Sequence, residues 1–215
     1  MSYKEILSPN YNPRGSYPIE RLTIHCVVGQ LSAESVANMF KKPSRQASSN
    51  YIVGKDGEVV LCVKENCRAW TSGSGANDYR AITIETASDL KAPYAFNDKA
   101  WSGLVNLTVD IMQRNKRNKL VYIPDKNKAL NYKVQPGEML MTFHRWFQNV
   151  SCPGDWFVNH AEAFTQEVNS KLSGGQPKKL YKVQVGAYAQ KANADKMLQQ
   201  LKSKGFDGFI VEVNQ

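Results

Sequence analysis

The sequence predicts an α/β protein followed by a small β-α-β module. Three observations carry this. Short apolar stretches with strand-like alternation (residues 21–28, 81–86 and 139–143) are interleaved with segments of helical period (97–118 and 155–172). One tract, Ser173-Gly174-Gly175-Gln176-Pro177-Lys178-Lys179, has linker composition. Beyond it, residues 180–186, 193–204 and 208–213 read as strand, helix and strand. The expected organisation is a domain over residues 1–172, a linker over 173–179 and a module over 180–215.

The first twenty residues are rich in Pro, Asn, Tyr and Ser and read as an irregular lead-in. In strand 21–28, Leu22, Ile24, Cys26 and Val28 share one face, and Thr23, His25 and Val27 the other. Residues 31–42 fit a helix, with Ser32 as N-cap and Val36, Met39 and Phe40 on one stripe. Residues 50–53, Lys55-Asp56-Gly57 and 58–63 read as strand, turn and strand, because Asp-Gly is a strong hairpin signal. A Gly/Ser/Asn loop over 71–78 precedes strand 81–86, where Ile82 and Ile84 oppose Thr83 and Glu85. Helix 97–118 turns Trp101, Leu104, Val105, Thr108 and Met112 inward, and helix 155–172 turns in Phe157, Ala161, Phe164, Val168 and Leu172.

Composition narrows the function. The 215 residues carry 28 Lys and Arg against 19 Asp and Glu, a net charge of +9. Such a surface suits a polyanionic partner. The basic residues are scattered and no nucleic-acid motif is present, so no nucleic-acid partner is expected. Mean hydropathy is −0.48. No apolar run approaches the roughly 18–20 residues of a membrane span, so no membrane partner is expected either. Met1-Ser2-Tyr3-Lys4-Glu5 lacks the blocks of a signal peptide, so synthesis in the cytoplasm is expected. Four cysteines are too few for a disulfide scaffold. Cys62 and Cys67 are close enough in sequence to pair, but an unpaired core role for Cys62 better suits a cytosolic product.

Three residues stand out chemically. His25 and His144 close apolar strand stretches, where a histidine is more often packed or capped than a ligand. Cys152 lies in Ser151-Cys152-Pro153-Gly154, a loop with no core to fill. Two imidazoles and one thiolate make a three-ligand zinc set that leaves a position for water, the catalytic pattern. Only the fold can bring His25 to His144. Glu85 is either a solvated edge carboxylate or, by strand parity, a neighbour of His25 in one cleft. Trp70 is either core or a sugar platform. His160 flanks the apolar face of its helix and reads as surface.

Leu22-Thr23-Ile24-His25-Cys26, Asn50 through Gly57, Ala69-Trp70, Ala81-Ile82-Thr83-Ile84-Glu85, Phe143-His144-Arg145 and Cys152-Pro153-Gly154 occur in that order. As an ordered set they resemble the zinc-dependent N-acetylmuramoyl-L-alanine amidases of the phage T7 lysozyme and peptidoglycan-recognition-protein type, over residues 20–172. The resemblance implies a mixed central β-sheet flanked by helices, with zinc in a groove. It implies that His25, His144 and Cys152 are ligands and that Glu85 is the general base. Asn50 and Trp70 are candidate substrate contacts. Two departures stand out. Many members carry Lys where this chain has Val150, and many carry His where it has Asn50.

Tyr181-Lys182-Val183-Gln184-Val185-Gly186-Ala187-Tyr188, Ala192-Asn193-Ala194 and Lys204-Gly205-Phe206 resemble half of a SPOR-type peptidoglycan-binding module. Strand parity leaves Lys182 and Gln184 on its open face as wall-binding candidates. A lone half leaves a gap between parallel strands, which a second chain would fill.

The reading is an endolysin-type amidase that cuts between N-acetylmuramic acid and L-alanine. It is expected to reach a Gram-positive wall after holin-type release and to pair as a homodimer through the tail. Two rivals are a non-catalytic peptidoglycan-recognition protein and a thiol peptidase using Cys152 and His144. Light scattering of the full chain at micromolar concentration is expected to give twice the 24.2 kDa chain mass; a monomeric mass refutes the pairing.

Overall fold

In the computed structural model, which describes residues 3–174, 185–206 and 209–210, seven strands form one mixed sheet. The chain opens with β1 (Lys4–Glu5) and β2 (Tyr11–Pro13), and then the long β3 (Arg21–Val28). Helix α1 (Ala33–Phe40) leads to β4 (Tyr51–Val53), β5 (Val59–Leu61) and β6 (Cys67–Ala69). The short α2 (Gly75–Asp78), β7 (Ala81–Ser88) and α3 (Asp98–Arg114) follow. Then come β8 (Lys119–Val121), α4 (Lys126–Asn131), β9 (Glu138–Phe143) and α5 (Asp155–Leu172). The main sheet runs β1-β5-β4-β7-β3-β9-β8, and β2 pairs with β6 in a separate two-stranded ribbon. Every pairing in the main sheet is parallel except β4 with β5, the hairpin that Asp56-Gly57 predicts.

Alternation decides which face of the sheet is dry. Leu22, Ile24, Ile82, Ile84, Met141 and Phe143 point to one face. There they pack with Leu104, Val105 and Met112 of α3 and Phe157, Phe164 and Val168 of α5. Helical period sets the same stripe on each helix, so sheet and helices close one core. The opposite face is half polar. α1 covers only its β4–β5 side, through Val36, Phe40, Ile52, Val60 and Cys62. Ser32 caps α1 by accepting a bond from the Ser35 amide at 3.2 Å.

The lead-in and the loops are more ordered than the sequence suggests. β1, β2, β6 and β8 span two or three residues each, too short to show alternation. The loop expected over 71–78 contains α2, and helix 97–118 ends at Arg114 so that the chain can turn into β8. Cys62 is buried, and all four cysteines are free.

The chain divides into two compact units, Met1–Lys178 and Lys179–Gln215. In the second, α6 (Lys191–Ser203) matches the expected helix within two residues. Most of the two expected tail strands, with Lys182 and Gln184, lies outside the described residues. Val185, Gly186, Phe209 and Ile210 carry no strand.

Arg14, 3% exposed, holds the first unit's loops together. Its guanidinium donates to the carbonyls of Glu65 (2.8 Å), Cys67 (2.9 Å), Asp78 (3.2 Å), Tyr79 (2.5 Å) and Ala81 (3.0 Å). No other side chain offers five donors in one rigid fork. Arg14→Leu strands these carbonyls and is expected to lower stability by about 2–4 kcal/mol in a thermal or urea melt. Arg14→Lys, with three donors, is expected to recover only part of the loss.

Candidate metal centre

The site lies on the half-polar face, where three parallel strands meet. In register, His25 of β3 pairs with Glu85 of β7, and Ile52 of β4 lies beyond Glu85. Cα-paired residues on adjacent strands point the same way. Glu85 therefore stands between Ile52, covered by α1, and His25, covered by no helix. On the other side of β3, the pairing of Ile24 with Phe143 brings the next residue, His144, beside His25. Their ring centroids lie 4.8 Å apart.

A polar floor supports this row. Thr23, Thr83 and Thr142 occupy the same face two residues before His25, Glu85 and His144. The Thr23 and Thr142 hydroxyls meet at 2.8 Å, and the Asn77 amide donates to Thr23 at 2.9 Å. Thr83 bonds Thr71 at 2.8 Å. These buried hydroxyls satisfy one another, so a polar sheet face can be covered by loops without stranding donors.

Cys152 arrives from the loop before α5. Its Sγ accepts the Cys26 amide at 3.3 Å and lies 3.5 Å from His25 Nδ1. Three contacts hold the loop. The Arg145 amide donates to the Cys152 carbonyl at 3.0 Å, and the Arg145 guanidinium binds the Ser151 carbonyl and Asp155 Oδ1 (2.7 Å). Gly154 sits at φ +93°, where a Cβ would lie 2.7 Å from the Pro93 carbonyl oxygen, so only glycine lets the loop close there.

Ligand atoms of His25, His144 and Cys152 all lie within 4.8 Å of one another. The set fits zinc. Tetrahedral zinc with ordinary Zn–N and Zn–S bonds separates nitrogen from sulfur by about 3.5–3.6 Å, and the Nδ1 to Sγ distance here is 3.5 Å. Burial, reinforced by His144, holds the His25 imidazole well below its usual range, so it is neutral as a ligand must be. Burial also pushes the Cys152 thiol well up, with contributions from Cys26 and the Glu85 charge. A buried thiol beside a carboxylate is a poor nucleophile unless a cation stands next to it.

Glu85 is partly buried, and burial raises its carboxyl to about 7 against an opposing pull from Arg45. Arg45, in the 3-10 turn after α1, escaped the sequence reading. It lies in a run of surface lysines, and nothing in its spacing points to Glu85. The side chain of Asn50 turns inward. Its amide donates to the Val63 carbonyl (3.1 Å) and accepts from the Thr83 amide (3.1 Å), and the residue is fully buried. Its work is to fasten the 63–67 loop to β7, which corrects the expected substrate contact. Trp70 is half-buried, with Nε1 donating to Asn12 at 2.7 Å. His160 is exposed and stacks on Trp156 at 4.2 Å.

Comparison with known proteins agrees with this architecture. The N-acetylmuramoyl-L-alanine amidase family matches residues 15–155, and the SPOR domain matches residues 177–215. The chain belongs to the N-acetylmuramoyl-L-alanine amidase family. Its function is that of a peptidoglycan amidase, with a SPOR domain behind. Three solved structures share the fold. The catalytic domain of XlyA is 16% identical with a TM-score of 0.57, covering 78% of this chain and 99% of its own. A mutant endolysin from Bacillus subtilis is 18% identical with a TM-score of 0.53, over 78% and 99%. Staphylococcus aureus AmiA, in complex with its ligand, is 14% identical with a TM-score of 0.56, over 82% and 88%. Among curated proteins, none matches the sequence.

Proposed function

We propose that this chain is a zinc-dependent amidase of endolysin type, which frees stem peptides by cutting the bond between N-acetylmuramic acid and L-alanine. The observation that carries the reading is the convergence of His25, His144 and Cys152, with Glu85 in register beside His25. His25, His144 and Cys152 would hold the metal. Zinc held there supplies Lewis acidity for the scissile carbonyl and for the water that attacks it. Glu85 accepts the proton of that water on its carboxylate and returns it to the leaving amine nitrogen. A carboxyl raised to about 7 is matched to both halves of that transfer near neutral pH. The threonine floor and the Arg145 clasp hold the row in place. Trp70 offers its accessible edge to substrate, and Lys182 and Gln184 serve wall binding in the SPOR region. The net charge of +9 favours retention on an anionic Gram-positive wall. The endolysin reading places its action after holin-type release.

Mass spectrometry of Gram-positive peptidoglycan after digestion is expected to show free stem peptides beginning in L-alanine beside intact glycan strands. EDTA abolishes them and added zinc restores them. Cut crosslinks that persist in EDTA would support the thiol peptidase instead, and unchanged wall with bound protein would support a recognition protein. Glu85→Gln is expected to lower the rate by about 10²–10⁴ while leaving bound zinc in place, measured by metal analysis beside the activity assay.

A further inference from the structure

The two histidines of the centre are oriented by different means. His25 is the fifth residue of the eight-residue β3, 1% exposed, with Nδ1 facing Cys152. Its Nε2 is buried without a hydrogen-bond partner among the described residues, so packing and the Nδ1 contact with Cys152 hold the ring. His144 has no such enclosure. It begins the 3-10 turn His144–Trp146 after β9 and is partly exposed. A partly exposed imidazole can rotate and can carry its proton on either nitrogen.

One contact addresses both freedoms. His144 Nε2 lies 3.1 Å from Gln148 Oε1, four residues on. An amide oxygen can only accept, so with Oε1 facing the ring this pairing favours the proton on Nε2, which leaves the Nδ1 lone pair for the metal. Gln148 is itself exposed and would be free to swing away. Gly73, in the loop before α2, gives the amide a place to pack. It sits at φ +68°, and a Cβ there would lie 1.9 Å from Gln148 Nε2 and 2.7 Å from its Cδ. The missing side chain is thus the seat of the glutamine amide. Gly73 and Gln148 come from loops 75 residues apart in sequence, so the seat is made by the fold and not by local helix geometry.

We propose that Gln148 is a positioning residue for the metal centre. Seated against Gly73, it fixes the His144 ring and its tautomer so that Nδ1 is presented to zinc. The inference rests on the zinc reading above. An outer partner on a ligating imidazole is generally worth about 10–100-fold in metal affinity. That the partner here is a side-chain amide held in a glycine notch follows from the two contacts just given.

The test is zinc affinity of the full chain, by competition with a chromophoric chelator. Gln148→Leu removes the acceptor at a surface position and is expected to weaken zinc by about 10–100-fold. Gln148→Glu keeps an acceptor and is expected to stay within about 3-fold of the unsubstituted chain, by the same outer-partner logic. Gly73→Ala displaces the amide and is expected to weaken zinc in the same sense. Combined with Gln148→Leu it should add nothing, because both break one link. Nitrogen-15 NMR of the metal-free chain reads the tautomer directly: the Nε2–H form of His144 is expected to dominate, and to lose that dominance in Gln148→Leu. Zinc affinity and tautomer unchanged in Gln148→Leu overturn the proposal, as does full additivity of the two substitutions. Zinc binding that survives His144→Ala overturns the metal reading itself, and this one with it.

Discussion

The structure depends first on the register between β3, β7 and β9. Parallel pairing of these strands sets His25 against Glu85 and brings His144 beside His25. A slip of one residue would turn all three side chains into the core between sheet and helices and bring Ile24, Ile84 and Phe143 out. The dry face prevents that slip, since Leu22, Ile24, Ile82, Ile84 and Phe143 are all fully or almost fully buried. The hydrophobic effect on one face therefore specifies the chemistry on the other.

The second constraint is the cost of covering a polar sheet face. Thr23, Thr83 and Thr142 cannot be left dry and unbonded. Asn50, Asn77 and Thr71 meet them, and Arg14 ties the loops that carry these groups to one another. The cover is irregular backbone, which a helix or strand ladder does not satisfy by itself. Buried side chains do it instead, and so a short surface-like stretch such as Ser48–Ser49–Asn50 is wholly buried.

Where the residues' own pattern was strong, the sequence was legible. β3 and α5 fall at the predicted residues, because eight alternating and eighteen periodic positions leave little freedom. Strand parity put Glu85 and His25 on matching faces, and the register makes them neighbours. The ordered motifs pointed to His144 and Cys152, which no local pattern would have joined to His25. Asn50 was misread because a polar residue at a strand end looks the same whether it faces substrate or a loop carbonyl. Arg45 and Gln148 went unseen because each acts across a gap in sequence that only the folded chain closes. The short strands β1, β2, β6 and β8 were invisible for the same reason: their pairing partners, not their own composition, make them strands.

Arg145 links the turn that bears His144 to the loop that bears Cys152. A free segment joining two ligands would have to be frozen when the metal arrives, at an entropic cost set by its length. The clasp moves that ordering into the folding of the chain. On the zinc reading proposed above, an ion bound there would meet a closed clip on one side and a strand on the other. What it would have to organise is the distance between two bodies, not the shape of a loop.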